Sequence, residues 1–277
     1  MKILKQKDKD FIAKYSKEIS PLQQWLVKSK MEHSVLTSAE DGHIPVSSID
    51  NFSVTKAAFQ QLGVNYSLKS DLMDAVACLF QNRDSRIFES HELVNSNRHG
   101  YQRFKQSLYL PTEFWRRLLD GATADELKES FFLGVDWNPE KYLFIYIFAT
   151  SYDSTSVDPW ALFRIDLSTH SMYYVDGRID GRVEVLPPQL VNFLHLVKIS
   201  MQPLLQYLLP DYIGNWQCNA FRETYFELLN NQYDSGLYTI ACTYYLSHGT
   251  PLFFKHNSIT RLRMTLGYWI LVGELPI

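Results

Sequence analysis

Three short apolar segments in the middle of the chain limit the choice of fold more than any other feature of the sequence. They cover residues 142–149, 160–167 and 171–175, and each is rich in aromatic and β-branched residues over the length of a strand. A short polar turn separates the second segment from the third, which is typical of a hairpin. A fourth strand is predicted over residues 215–226.

Apolar residues recur at helical spacing before and after these strands. The predicted helices cover 53–62, 70–80, 112–119, 122–129, 188–209, 236–247 and 258–272. Strands in the middle of a chain with helices on both sides favour an α+β fold. A chain of 277 residues holds one large domain or two small ones.

The first 60 residues differ in character from the rest of the chain. Residues 10–26 show helical spacing, and residues 34–51 are polar and contain Gly, Pro and several Ser, which is typical of a long loop. We therefore predict a helical N-terminal extension and linker over residues 1–60 and a single domain over residues 61–277.

Composition and charge argue against several classes of function. The formal net charge is −3, whereas nucleic-acid-binding domains are usually basic. No stretch approaches the roughly 18 apolar residues of a membrane helix, and the charged N-terminus lacks the apolar core of a secretory signal. Three cysteines fit a reducing compartment better than a disulfide framework. Because neither Cys-x-x-Cys nor His-Glu-x-x-His occurs, we expect no metal and no cofactor.

Two motifs carry the most information. One is Asp158-Pro-Trp-Ala-Leu-Phe-Arg-Ile-Asp-Leu followed by Met172-Tyr-Tyr-Val-Asp-Gly177, and the other is Asn231-Gln-Tyr-Asp-Ser-Gly-Leu-Tyr238. Their order and spacing resemble the ubiquitin-like-protein-specific cysteine proteases, the SUMO and NEDD8 protease group of clan CE. The resemblance covers roughly residues 65–277. It implies a papain-like α+β fold with a central mixed sheet flanked by helices.

The resemblance also implies which chemistry to look for. In that family a Cys thiolate at a helix N-terminus attacks the substrate, a His lowers its pKa and serves as base, and an Asp orients the imidazole. A Gln side chain donates a hydrogen bond to the oxyanion. The matching positions in this chain are Ser235 for the Cys, Pro159 for the His, Asp176 for the Asp and Leu229 for the Gln.

Three of these four positions therefore hold residues that cannot perform the family's chemistry. Pro159 cannot transfer a proton, Leu229 cannot donate to an oxyanion, and a Ser235 hydroxyl is a poor nucleophile without a base. Loss of several members of one catalytic unit removes nearly all activity. The sequence therefore predicts that the chain has no catalytic residues. We expect a catalytically inactive pseudoprotease that acts as a protein-binding or scaffolding module.

Two alternatives remain open at this point. The first is an active hydrolase of ubiquitin-like proteins that uses Ser235 with a relocated base, for which His170 and His248 are the candidates. The second is an architectural subunit in which the old groove is filled. Ser235 also has a structural interpretation, because a serine before an apolar run often caps a helix. Asp176 also has a structural interpretation, as a turn residue before Gly177.

The resemblance implies a protein partner, either a ubiquitin-like protein or another subunit of a complex. Trp160 matches a tryptophan that lines the substrate-tail tunnel in the family, and the position of the opposing tryptophan falls near Ser67. We predict partner binding around Trp160 or through the 10–26 helix, whose apolar stripe includes Phe11 and Leu22. No nucleic-acid or membrane partner is expected, and the expected location is intracellular, in the nucleus or cytoplasm.

Overall fold

The structure is a computed structural model. It describes residues 45–49, 52–63, 66–95, 105–133, 135, 137–152, 159–179, 185–221, 228–229, 231–252 and 254–275. The predicted helix over 10–26, with Phe11 and Leu22, lies outside the described residues. None of the helices within these ranges is both long and apolar enough to cross a membrane.

The fold is α+β, as predicted. Its elements are β1 (Pro45–Ile49), β2 (Phe52–Thr55), α1 (Lys56–Gln60), α2 (Ser70–Asn95), β3 (Gln106–Leu110), α3 (Thr112–Leu119), α4 (Ala124–Phe131), β4 (Tyr142–Thr150), β5 (Trp160–Asp166), β6 (Ser171–Val175), α5 (Pro188–Leu208), β7 (Gln217–Ala220), a 3-10 turn (Gln232–Asp234), α6 (Ser235–Ser247) and α7 (His256–Val272).

A five-stranded mixed sheet forms the centre of the molecule. Its strand order is β3-β4-β5-β6-β7, and the two outer pairs are parallel while the two inner pairs are antiparallel. The predicted hairpin over 160–175 is confirmed, with Leu162 opposite Val175 and Asp166 opposite Ser171. A separate two-stranded sheet pairs β1 with β2.

The sheet separates two hydrophobic cores, because successive side chains of a strand point to opposite faces. In β5, Trp160 and Leu162 face the core beneath α2, α6 and α7. Ala161 and Phe163 face the core beneath α3, α4 and α5. Both faces of the strand are covered, so its sequence is apolar almost throughout instead of alternating.

Helix α6 lies within the first of these cores. All residues from Ser235 to Leu246 are buried, including Cys242 at 1% exposure. A helix that is apolar around its whole circumference belongs in a protein interior. The N-terminus of α6, where Ser235 lies, is therefore held by protein on every side.

The structure differs from the sequence prediction near the start of the described chain. Residues 45–49 form β1 inside the predicted loop, and residues 53–55 form most of β2 where a helix start was predicted. The helix begins only at Lys56, where the Thr55 hydroxyl caps it by accepting from the Ala58 N–H at 3.2 Å. β-Branched Val54 and Thr55 favour the strand over the helix.

This hairpin and α1 pack on the same core as α2 and α7. Ile49, Val54 and Phe59 are at most 2% exposed, and the Ser47 hydroxyl donates to the Ile270 carbonyl at 2.5 Å. The part of the predicted extension that the structure describes is thus joined to the main core. The domain boundary at residue 60 stays a prediction.

Candidate functional site

Ser235 is the first residue of α6 and is 3% exposed. Its hydroxyl oxygen accepts a hydrogen bond from the backbone N–H of Trp160 at 3.2 Å. Pro159 is bonded to that nitrogen, so its backbone lies directly beside the serine side chain. The helix-cap interpretation of Ser235 is wrong, since Asp234 occupies the N-cap position of α6.

Asp176 follows β6 and is 3% exposed. One carboxylate oxygen accepts from the backbone N–H and the Nε–H of Arg178, at 2.9 and 3.1 Å. The other accepts from Arg178 Nη2 at 2.8 Å, from the Ser151 hydroxyl at 2.7 Å and from the Tyr174 hydroxyl at 3.2 Å. Each oxygen of the carboxylate is therefore engaged, and its charge is paired with a guanidinium.

Two further contacts bring Pro159 and Leu229 to the same place. The Ser151 N–H donates to the Pro159 carbonyl at 2.7 Å, so Ser151 links Pro159 to Asp176. The Leu229 N–H donates to the Gly177 carbonyl at 2.7 Å. A Cβ at Gly177 would lie 3.3 Å from Leu229 Cβ, which shows how closely the two segments approach.

The structure thus gathers Pro159, Asp176, Leu229 and Ser235, which are up to 76 positions apart in sequence, where β5 begins, β6 ends and α6 begins. We call this group the four-residue cluster. Arg178 has no lone pair with which to accept a proton, and leucine and proline side chains carry no polar atom. Within the cluster, the Ser235 hydroxyl accepts from a backbone N–H, and the side chains of Pro159, Leu229 and Arg178 offer it no base.

The two histidines considered as a relocated base lie far from the cluster. His248 follows the C-terminal end of α6, and 13 helical residues span about 20 Å. His170 precedes β6, whose five residues place it roughly 17 Å from the Asp176 end. The His170 ring stacks on Tyr212 with a centroid separation of 3.5 Å.

Trp160 is mainly a packing residue. It is 6% exposed, and its indole N–H donates to the Leu68 carbonyl at 2.5 Å. Leu68 in turn lies against Gly236, where an added Cβ would come within 3.0 Å of Leu68 Cβ. The segment next to Ser67 therefore closes over the start of α6 and over one edge of Trp160.

A groove of 430 Å³ runs beside the other edge of Trp160, with Trp115 and Phe148 also in its wall. Its rim carries Glu113 and Asp120, which both pair with Arg116, at 2.5 and 2.9 Å.

Asp74 also lines this groove, and the Thr112 N–H and hydroxyl donate to its carboxylate at 2.6 and 3.0 Å. Burial raises the pKa of Asp74 despite these two hydrogen bonds. The groove combines an aromatic wall with a predominantly acidic rim.

A buried arginine holds the loop before α6. Arg263 is 5% exposed, which is unusual for an arginine. It donates to the carbonyl oxygens of Gln61, Gly63, Tyr66 and Tyr233 and, at 2.6 Å, to the Asp234 carboxylate. Asn231 completes the loop, since its side chain accepts from the Tyr233 N–H and donates to Asp234.

Sequence reasoning missed Arg178 and Ser151, two of the three residues that donate hydrogen bonds to Asp176. An Asp and an Arg two positions apart after a strand are a visible signal, but only the turn geometry turns the Arg back onto the carboxylate. Ser151 comes from the neighbouring strand β4, and no local pattern could have placed it there. The described side chains contain no group of three His, Cys, Asp or Glu residues that could hold a metal ion.

No protein-family model and no curated protein sequence matches the chain. Solved structures do. The C-terminal Ulp1 protease domain, in complex with Smt3, the yeast ortholog of SUMO, is similar with a TM-score of 0.66 and 16% identity, over 92% of this chain and 96% of that one. The Ulp1-like SUMO protease catalytic domain of Chaetomium thermophilum is similar with a TM-score of 0.62 and 14% identity, over 94% and 92%.

A third structure, SUMO protease Ulp1 with the catalytic cysteine oxidized to a sulfenic acid, has a TM-score of 0.60 and 16% identity over 92% of this chain and 95% of that one. The chain therefore has the fold of the Ulp1-like SUMO proteases. The fold implied by the two sequence motifs is confirmed.

Proposed function

We propose that the chain is a catalytically inactive pseudoprotease whose protease-like domain serves as a protein-binding module. One observation carries the proposal: the Ser235 hydroxyl, at the start of the buried α6, faces the backbone of Pro159–Trp160 where the fold's chemistry calls for a base. In this proposal Pro159, Leu229 and Ser235 replace the His, Gln and Cys of the active enzymes.

The contacts of Asp176 support the same conclusion. In an active triad the carboxylate holds an imidazolium, whereas here it holds Arg178 at 2.8 Å and two hydroxyl groups. The guanidinium supplies the positive charge that a buried carboxylate needs, without any ability to shuttle protons. In this proposal the former acid serves as one half of a structural ion pair with Arg178.

The alternative, a hydrolase with Ser235 and a relocated base, requires a proton acceptor within about 3 Å of the hydroxyl, directly or through one water. His170 and His248 fail this requirement by more than 10 Å on the estimates above. The geometry of the described residues supports inactivity over relocation.

The catalytic part of the proposal is tested with SUMO, NEDD8 and ubiquitin carrying electrophilic C-terminal probes, and with their uncleaved precursors. We expect no labelling and no cleavage, with the yeast Ulp1 domain as the positive control. Ser235→Ala is the matched variant and should behave as the wild type. Turnover that disappears in Ser235→Ala would establish the hydrolase instead.

The binding part is tested separately, because a filled architectural subunit would also be inactive. Two surfaces are candidates: the acidic groove beside Trp160, and the predicted 10–26 helix. Glu113→Lys with Asp120→Lys reverses the charge of the groove rim, and Phe11→Asp with Leu22→Asp places charges in the apolar stripe of the helix.

Each double variant is compared with the wild type in affinity purification from the native cell with quantitative mass spectrometry, and in thermal unfolding. Loss of a specific partner at an unchanged melting temperature identifies the binding surface. A lower melting temperature for the Phe11 and Leu22 variant would show that the helix packs on its own domain, because an unpaired buried charge costs several kcal/mol. Retention of every partner by both variants contradicts a binding role for these surfaces.

A further inference from the structure

Helix α5 carries more exposed large apolar side chains than any other described element. Among the described residues, ten large hydrophobic side chains are exposed, and four of them lie in α5. They are Val191, Leu196, Ile199 and Tyr207, and Leu196 and Ile199 share the outer side of the helix. Isolated exposed apolar residues are ordinary, but a concentration on one element marks an interaction surface.

The inward face of α5 is already used by the domain. Its buried residues are Leu190, Leu194, Val197, Met201, Leu204, Leu205 and Leu208. The opposite, solvent-facing side follows a spacing of three and four residues, which is the spacing of a helix–helix contact seam. This outer seam consists of Gln189, Asn192, Leu196, Ile199, Pro203 and Gln206, and all six are exposed.

The outer seam carries no charge. Lys198 is the one charged residue of α5. It lies on the side of the helix that faces β7, where it lines a groove with Cys218. There its positive charge partly offsets the burial that raises the pKa of the Cys218 thiol. A surface helix normally places charged residues opposite its buried face. An uncharged outer face with Leu196 63% and Ile199 54% exposed is therefore unusual for a face left in water.

The order of residues in the outer seam is close to palindromic. The two ends are Gln189 and Gln206, and the two central residues are Leu196 and Ile199. The intermediate positions, Asn192 and Pro203, are the one pair of unlike residues. We propose that α5 pairs antiparallel with α5 of a second copy of this chain, about a two-fold axis crossing the helix between Val197 and Lys198. A two-fold interface requires a self-complementary surface, and this seam provides one.

The proposed register pairs every position of the seam with a suitable partner. Leu196 lies opposite Ile199 of the second copy, and Gln189 lies opposite Gln206, whose amide groups can both donate and accept. Two copies of Leu196 and two of Ile199 then form a central apolar layer. Lys198 of each copy points away from the contact, so the pairing creates no like-charge repulsion.

The remaining pair explains a proline in the middle of a helix. Pro203 has no N–H to donate to the carbonyl of Ile199, so that carbonyl lacks its usual helical partner. In the antiparallel register, Asn192 of the second copy lies opposite Pro203. Its side-chain amide donates to the Ile199 carbonyl, and the two-fold axis repeats this hydrogen bond once.

A second copy fits this face better than a charged partner. A charged side chain placed on the seam would lose hydration and find no opposite charge there. Two other occupants, the N-terminal residues 1–44 of the same chain and an unrelated apolar segment, do not require the palindromic order. Both are separate outcomes of the experiment below.

The test is sedimentation velocity of the full chain over a wide concentration range. We expect the weight-average mass to rise towards twice that of the monomer, and Leu196→Glu with Ile199→Glu to remain monomeric at every concentration. Leu133→Glu with Val272→Glu is the matched control, because both residues are exposed and apolar but lie outside α5. The control should dimerise as the wild type does. All three proteins should have the same melting temperature.

The register is tested by disulfide formation between engineered chains. A mixture of Leu196→Cys and Ile199→Cys chains should cross-link several-fold more than either chain alone, and more than Leu196→Cys mixed with Pro203→Cys. Three results would overturn the proposal: a monomer at all concentrations, as expected if residues 1–44 or another protein cover the seam; a dimer that survives the two glutamates; or equal cross-linking of matched and mismatched cysteine pairs.

Discussion

Asp176 and Arg178 illustrate, at the scale of single residues, how charge and hydrogen bonds stabilise a buried carboxylate. Removing a carboxylate from water costs several kcal/mol unless opposite charge and hydrogen bonds replace the solvent. Arg178 supplies the charge, and Ser151 and Tyr174 supply further donors. The same logic applies to Arg83 and Asp84, an ion pair 2.5 Å long and almost fully buried between α2 and α6.

This second ion pair lies beside His248, which follows the C-terminal end of α6. A helix C-terminus by itself favours an imidazolium, but the surroundings of His248 act in the opposite direction. Burial, followed by the Arg83 guanidinium 3.5 Å from Nδ1, lowers the pKa of His248. Hydrogen bonding to the Tyr244 carbonyl opposes the shift but does not reverse it.

A pH dependence of stability follows. Below about pH 6.5 the unfolded state binds a proton at His248 more readily than the folded state does. Stability therefore falls as the pH drops through 6.5 towards the folded pKa, by at most about 1.4 kcal/mol per pH unit. Urea unfolding at pH 7 and at pH 5 should show a smaller loss for His248→Gln than for the wild type. His195→Gln, at an exposed position, is the control and should match the wild type; equal losses in all three proteins would contradict the prediction.

At the scale of elements, Arg263 joins three segments that are distant in sequence. It lies in α7 and donates to carbonyl groups after α1 and before α2, and to the 3-10 turn that precedes α6. The N-terminus of α6, and with it the four-residue cluster, is positioned by one side chain. A guanidinium with several donors in a fixed plane suits this task, whereas an ammonium does not.

Substitution at this position should therefore be severe. Arg263→Met leaves Asp234 buried without its counter-charge, and loss of one partner from a buried pair costs about 3–5 kcal/mol. Arg261→Met is the matched control two positions away, exposed in the structure, and should change stability by less than about 0.5 kcal/mol. Chemical denaturation of the two variants measures both values. Similar stabilities for the two would show that the acceptors of Arg263 find other donors.

The same scale shows what the sequence could predict. The hairpin over 160–175 and helices α3 and α5 were predicted nearly to the residue, because two-sided burial and amphipathic spacing leave clear patterns in the sequence. Strand β3, Gln106–Leu110, was not predicted. All five of its residues are buried, so polar and apolar residues do not alternate along it, and five residues are too few to give a clear pattern. The position of Arg263 could not be predicted, because its acceptors are mostly backbone carbonyls, which have no sequence signature.

For the four-residue cluster, the sequence motifs singled out the four positions. The tertiary structure shows that they lie together and which neighbours they contact. The donation from Trp160 to Ser235 joins residues 75 positions apart, and Ser151 reaches Asp176 from a different strand. Such contacts depend on strand order, which is not encoded locally.

At the scale of the whole molecule, the central sheet separates a core under α3, α4 and α5 from a core under α2, α6 and α7. The second core holds the four-residue cluster, and the N-terminal hairpin with α1 closes it from outside. Because this closure comes from residues before 61, we expect the domain that carries the cluster to need residues 45–60 as well as residues 61–277.

Truncated chains test this directly. A chain of residues 61–277 lacks Ile49, Val54 and Phe59, which are at most 2% exposed. Each fully buried side chain contributes roughly 1.5–3 kcal/mol, and the total stability of a domain is only about 5–15 kcal/mol. We expect the 61–277 chain to lack a cooperative thermal transition, and a chain of residues 45–277 to unfold cooperatively. In the full chain, Phe59→Ala should lower stability by about 3–5 kcal/mol. A 61–277 chain that melts at the temperature of the full chain would place the domain boundary at residue 60 and reduce the hairpin to an appendage.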